Sequence, residues 1–88
     1  MSRRFPASAD AVSEVTARRL SIYLRGLQQL EADGVRTISS HDFARRFHLN
    51  SAQIRKDLAM FGEFGIRGVG YEVATLARHI AGLLGIDA

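Results

Sequence analysis

Gly62, Gly65, Gly68 and Gly70 fall within nine residues, and no helix interior tolerates that density. Each such glycine costs about 0.5–1 kcal/mol relative to alanine in a helix, so this segment has to turn. Ile66-Arg67-Gly68-Val69-Gly70-Tyr71-Glu72-Val73 alternates in character around its glycines, as a small hairpin does. The constraint divides an 88-residue chain, long enough for one domain, into a larger periodic part before the glycines and a short one after them.

The part before the glycines predicts three helices. From Ser13 to Asp33, Thr16, Leu20, Tyr23, Leu24, Leu27 and Leu30 recur at three- and four-residue spacing, which makes one apolar stripe. Ser13 suits the N-cap and Gly34 the position after the C-cap. Val35 to Ile38 is short and β-branched, with room for one small strand. Ser39 to Phe47 predicts a second helix, capped by Ser39 or Ser40, with Asp42 in its first turn and Phe43, Ala44 and Phe47 on its buried side. His48-Leu49-Asn50 is then a tight turn, and Ser51 caps a third helix running to Phe61. Two short helices joined by such a turn form a helix-turn-helix. After the glycines, Leu76, Ile80, Leu83 and Leu84 mark a final helix from Ala74 to Leu84, ended by Gly85. The expected fold is therefore mainly α: a winged helix-turn-helix of about four helices plus a small β-hairpin wing. It occupies residues 13–86, behind a flexible N-terminal arm at residues 1–12.

Placed on a helical wheel, the third helix separates by chemistry. Ile54, Leu58 and Phe61 form its core stripe. Opposite lie Ala52, Lys56 and Ala59, flanked by Arg55 on one side and by Gln53 and Met60 on the other. Small residues let a backbone approach a major groove, arginine and glutamine can read guanine and adenine edges, and lysine can reach phosphate. Ser51 stands at the leading end of that face. At the hairpin tip Arg67 stands beside Gly68, and an arginine on such a wing suits the negative potential of a narrow minor groove. Arg19 and Arg25, six residues apart on the first helix, are either backbone clamps or solvated charges. Ser39 and Ser40 offer hydroxyl and N–H groups to a phosphate, or cap their helix. The candidate DNA contacts are thus Arg19, Arg25, Ser51, Gln53, Arg55, Lys56, Arg67 and Gly68.

The charge agrees in kind. Twelve basic residues against nine acidic give a net +3 and a pI near 10.2. Eleven of the twelve are arginine, Lys56 being the exception. Arginine pairs bidentately with phosphate and guanine, although an arginine-rich genome accounts for the bias equally well. Double-stranded DNA is the expected partner.

Other functions find no foothold. Gly65-x-x-Gly68-x-Gly70 matches neither a dinucleotide fingerprint nor a P-loop. His41, His48 and His79 are scattered, and there is no cysteine, so neither a metal site nor a disulfide framework is expected. No nucleophile–base set stands out and no enzyme is expected. Asp57, on the shoulder of the third helix's core stripe, is expected to order an arginine. No apolar run approaches the ~20 residues that span a bilayer, and the N-terminus lacks the apolar region of a signal peptide. A cytoplasmic protein is expected. The competing reading is a winged-helix protein-interaction module whose basic face meets an acidic partner, which predicts no preference among DNA sequences.

Gln53-Ile54-Arg55-Lys56-Asp57-Leu58, Phe61-Gly62-Glu63-Phe64-Gly65 and Arg67-Gly68-Val69-Gly70-Tyr71 closely resemble the N-terminal domain of the Rex family of redox-sensing transcriptional repressors. Thr16 to Arg25 resembles the first helix of that family, and the match covers Val15 to Ile86. The resemblance implies a homodimeric repressor on a palindromic operator, with the recognition helix in the major groove and the wing in the minor groove. By motif it assigns Arg55 and Lys56 to the recognition helix, Arg67 with Gly68 to the wing, and Arg19 and Arg25 to first-helix phosphate contacts. Rex proteins continue into a Rossmann domain that senses NADH and NAD⁺. This chain ends at Ala88, about where the linker is expected, so it reads as an isolated DNA reader, monomeric or dimeric, with no cofactor of its own.

Overall fold

The computed structural model describes residues 13–62 and 64–86; the expected arm at residues 1–12 lies outside them. In chain order the elements are α1 (Glu14–Ala32), β1 (Thr37–Ile38), α2 (Ser40–Phe47), α3 (Ser51–Ala59), β2 (Tyr71–Glu72) and α4 (Val73–Leu83). The expected winged helix-turn-helix is the fold observed.

α1 buries the stripe its spacing predicts: Thr16, Leu20, Tyr23, Leu24, Leu27 and Leu30. The Ser13 side chain accepts a hydrogen bond from the Thr16 N–H at 3.1 Å, which satisfies one donor that the first turn leaves open. At the other end Gly34, at φ +83°, turns the chain left-handed. Its N–H reaches the Glu31 carbonyl at 3.0 Å, and the Val35 N–H reaches the Leu30 carbonyl at 2.9 Å, the paired bonds of a Schellman cap. Gly85 ends α4 in the same way, with φ +74° and bonds from Gly85 N–H to the Gly82 carbonyl and from Ile86 N–H to the Ala81 carbonyl.

α2 begins at Ser39, whose hydroxyl accepts from the Asp42 N–H at 3.0 Å. It stops at His48, a non-glycine residue in the left-handed region at φ 57°, where the Leu49 N–H returns to the Ala44 carbonyl at 2.8 Å. The cap of α3 differs by one residue from the expectation. Asn50, with extended backbone, accepts from the Gln53 N–H at 2.9 Å, and Ser51 is the first helical residue. Both residue types cap well; the left-handed turn at His48 leaves Asn50 as the last extended residue. α3 also ends earlier, at Ala59 rather than Phe61, because Met60 and Phe61 bond three residues back, to Asp57 and Leu58, tightening the chain before Gly62.

The glycine segment departs most from expectation. It does not form a hairpin of two paired strands. Within it only Ile66 and Gly70 bridge, and Tyr71 and Glu72 pair instead with Ile38 and Thr37 of β1, antiparallel. A loop this rich in glycine has few side chains to hold two strands together, whereas β1 offers a β-branched edge. The Val73 N–H then bonds the Arg36 carbonyl at 2.8 Å. That bond replaces a side-chain cap at the start of α4, where Glu72 provides none.

The core lies between α1 and α4. Leu20, Leu24, Leu27 and Leu30 meet Val73, Leu76, Ala77 and Ile80, closed by Ile38, Phe43, Ile54 and Leu58. Phe61, expected in the core stripe of α3, is half-buried against it. Tyr23 and Phe43 pack edge-to-face with centroids 6.2 Å apart, which holds α2 against α1.

Candidate nucleic-acid interface

α3 turns Ile54, Asp57 and Leu58 inward and leaves Ala52, Arg55, Lys56, Ala59 and Met60 exposed, with Ser51 and Gln53 half-buried. The face that the helical wheel marks as polar is the face presented to solvent. Its two flanks are built differently.

On one flank stands the glycine loop. The Arg55 Nη1 donates to the Ser40 hydroxyl at 3.1 Å, which ties the recognition face to the start of α2. Arg55, Ala59, Gly65 and Tyr71 line a shallow groove between α3 and the loop, and Ser39 and Ser40 line a second one against residues 65–71. Burial pushes the Tyr71 hydroxyl above its ordinary pKa, with Arg55 nearby opposing the shift. The loop itself is a tight turn: the Val69 and Gly70 N–H groups both donate to the Ile66 carbonyl at 2.8 Å, and the Ile66 N–H donates to the Gly70 carbonyl at 2.6 Å. Gly68, at φ +81°, permits the turn and leaves Arg67 exposed at its tip between the exposed Ile66 and Val69. At Gly70, φ +101°, a Cβ would stand 2.5 Å from the Ile38 carbonyl oxygen, so only glycine lets the loop close onto β1.

On the other flank, α1 grips α3 through a buried carboxylate. Asp57 is 1% exposed. Arg19 donates to it through Nε at 2.7 Å and Nη2 at 2.9 Å, Tyr23 through its hydroxyl at 2.6 Å, and Gln53 through Nε2 at 2.9 Å. Burial by itself would raise the Asp57 pKa. The hydrogen bonds from Arg19, Tyr23 and Gln53 outweigh it and hold the carboxyl below its ordinary range. The Tyr23 hydroxyl is pushed far above the usual phenol range, first by burial and then by its bond to Asp57. Arg19 is raised too, chiefly by its bond to Asp57.

The structure thus presents Lys56 to solvent with Arg55 on the flank nearer the glycine loop and Gln53 on the opposite flank, beside Asp57. Arg25 is exposed on α1. Arg19 and Arg25 point differently: six residues at about 100° each place them roughly 120° apart around the helix. Arg19, a third exposed, spends two donor groups on Asp57. Asp57 orders an arginine, as its position on the wheel suggests. The sequence reading missed the part Tyr23 plays in this cluster, and it offered Ser40 as a phosphate contact or a cap, not as the partner of Arg55. Tyr23 passes for a core residue, yet it lies four residues after Arg19, as Asp57 lies four after Gln53, and these two pairs share one helix face each. Ser40 carries no signal beyond its capping type. Among the described residues, no group of three or more acidic or histidine side chains could hold a metal ion, and no helix is long and apolar enough to cross a membrane.

Known proteins with this arrangement share a description. Residues 11–59 match the family described as "Putative DNA-binding protein N-terminus". The chain belongs to that family. Its relatives include the redox-sensing transcriptional repressor Rex of Desulforamulus reducens, 51% identical over 76 residues that make up 86% of this chain and 36% of the relative. Rex of Syntrophobacter fumaroxidans is 56% identical over 72 residues, 82% of this chain and 34% of the relative. The chain therefore spans about a third of the length of these curated relatives. Among solved structures, RSP in complex with β-NAD⁺ and operator DNA superposes with a TM-score of 0.79 at 39% identity, covering 84% of this chain and 34% of that one. RSP in complex with β-NADH superposes at 0.71 with 35% identity, covering 84% and 33%. The family is the one the motifs around Arg55 and Gly68 resemble.

Proposed function

We propose that this domain binds double-stranded operator DNA in a sequence-specific manner and thereby represses transcription. α3 enters the major groove and the Gly65–Tyr71 loop reaches the adjacent minor groove. The observation that carries the reading is the exposed Arg55–Lys56 face, tied through Ser40 to the groove that the exposed Arg67 turn lines, in a fold that superposes on a repressor-family protein solved with operator DNA.

In this reading Arg55, held toward the loop by Ser40, pairs with a guanine edge, and Gln53 faces the neighbouring base. Lys56 reaches phosphate. Ser51, at the first position of α3, offers a hydroxyl and an N–H that the helix itself does not use. Arg67 enters the minor groove, with Gly68 letting the backbone approach the sugars. Arg25 meets the flanking phosphates, and Arg19 adds the N–H groups that Asp57 leaves free. Redox sensing through NADH and NAD⁺, and homodimer formation on a palindrome, belong to the portion of the relatives beyond this match. The domain works without catalysis, in the cytoplasm, with no cofactor of its own.

The test is a titration against selected palindromic and random duplexes at two salt concentrations. Arg55→Ala is expected to cost about 1–3 kcal/mol and to relax preference at one base pair. Lys56→Ala is expected to weaken all sequences alike and to lower the salt slope by about one. Unchanged operator affinity in both variants, each correctly folded, refutes the proposal.

A further inference from the structure

We infer that Asp57 is a positioning residue for base recognition: it fixes the Gln53 side-chain amide so that α3 presents a ready-made adenine reader on the flank opposite Arg55. This inference rests on the DNA-reading role proposed above. The relevant juxtaposition is the Gln53 amide nitrogen 2.9 Å from one oxygen of a carboxylate whose other contacts are Arg19 and Tyr23.

The chemistry leaves one orientation. A carboxylate only accepts, so the amide must direct its NH₂ group, not its oxygen, at Asp57. One of the two N–H bonds is thereby used. We take the engaged N–H to be the one trans to Oε1, which leaves the cis N–H and Oε1 adjacent on one edge of the amide. That pair is complementary to the N7 acceptor and N6 donor that adenine shows in the major groove. A free glutamine has to give up rotamer freedom to present this edge, at up to about 1.5–2 kcal/mol for a long flexible side chain. Here the protein fold has already met that cost, because Gln53 is half-buried and tethered to a group that cannot move.

Asp57 is immobile for reasons within the domain. Arg19 holds both its oxygens, and Tyr23 adds a third bond at 2.6 Å. Arg19 and Tyr23 both belong to α1, the helix that carries the core. The amide is therefore referenced to the rigid frame of the molecule rather than to α3 alone. Guanine offers an acceptor where adenine offers its N6 donor. With the amide unable to flip, Oε1 then faces O6 and the mismatch is not relieved by rotation.

Base preference measured on duplexes with each position varied in turn tests this, with wild type, Gln53→Ala and Asp57→Asn compared. Both variants are expected to lose about tenfold discrimination at the same A·T pair while keeping their preference at the pair read by Arg55. Side-chain amide NMR on the wild-type chain gives a check independent of whether Asp57→Asn folds: the two Gln53 amide protons are expected to be well separated, and the one facing Asp57 to shift as the carboxyl titrates. Uniform weakening on every sequence by both variants overturns the inference, since that is what loss of helix anchoring alone produces. So does a Gln53 amide with the averaged shifts of a free side chain. A wild-type chain with no sequence preference at all instead overturns the underlying DNA-reading role and this inference with it, and is recognised from the wild-type titration alone.

Discussion

Keeping Asp57 charged at 1% exposure makes the stability of the domain depend on pH at both ends. The Asp57 pKa is lowered in the fold, so its contribution is fully present above the ordinary carboxylate value of about 3.9 and is lost as pH falls through the depressed folded value. The Tyr23 pKa is raised, so its contribution is fully present below the ordinary phenol value of about 10 and is lost as pH climbs past it. Asp42, also lowered by its bond from Arg45, is on the surface and adds little because solvent screens it. Thermal melts are expected to give a flat midpoint from about pH 5 to 9, falling on both sides. Tyr23→Phe should shrink the alkaline fall, leaving the part due to Tyr71, while a folded Asp57→Asn should flatten the acid one. A midpoint that climbs steadily from pH 3 to pH 5 in Asp57→Asn as in wild type counts against this assignment. The residue types of this cluster were readable in the sequence and so were the two four-residue spacings, but not their meeting: Arg19 and Asp57 are 38 positions apart, and only the packing of α1 on α3 joins them. The cap of α3 shows the opposite limit. Asn50 and Ser51 are equally good caps, and backbone geometry, not residue type, decides between them.

Elements were legible where their periodicity is internal. The stripe of α1, the leucines and isoleucine of α4 and the glycines after both helices predict their own structure, and the observed bounds lie within a residue or two. The wing was expected where it is, but its pairing with β1 was not legible, for a physical reason. Its pairing is non-local, with Tyr71 opposite Ile38, and two-residue strands carry too little pattern to announce a partner. The two wing glycines separate accordingly. Gly70→Ala drives a Cβ to 2.5 Å from a backbone oxygen and 3.0 Å from the Ser39 Cα, atoms that cannot yield cheaply, in a left-handed conformation besides. It is expected to cost about 2–4 kcal/mol and to loosen the junction of β1 with the wing. Gly68→Ala meets no atom within 4 Å and should cost only the left-handed strain, about 1–2 kcal/mol. Chemical denaturation of the two variants checks the order; equal losses mean that the wing is not seated on β1 as described.

At the scale of the whole molecule, α1 and α4 form the frame, and the reading face is mounted on it through two unlike joints. The Asp57 cluster fixes one flank of α3, while the Arg55–Ser40 bond and the glycine loop border the other. The family could be named from short motifs because those motifs are the joints and the face: Gln53 to Leu58 carries both Asp57 and Arg55, and Arg67 to Tyr71 carries the turn and its contact with β1. The packing of α1 on α4 has no comparable signature, since any amphipathic pair would serve. The same arrangement fixes how binding should respond to salt. Arg19 is largely neutralised by Asp57, so of the proposed DNA contacts among the described residues those that displace counterions are Arg25, Lys56, Arg67 and in part Arg55. Two to four phosphate contacts correspond to a slope of roughly −2 to −4 in log K against log salt for one copy on a half-site. Arg25→Ala should reduce that slope by about one without changing base preference. On a duplex carrying both half-sites, two copies of this 88-residue chain are expected to bind with the same slope each, since each copy brings the same basic residues to its half-site. A slope near zero would instead favour a protein partner for the basic face, and strong cooperativity would show that this domain alone supplies a dimer contact.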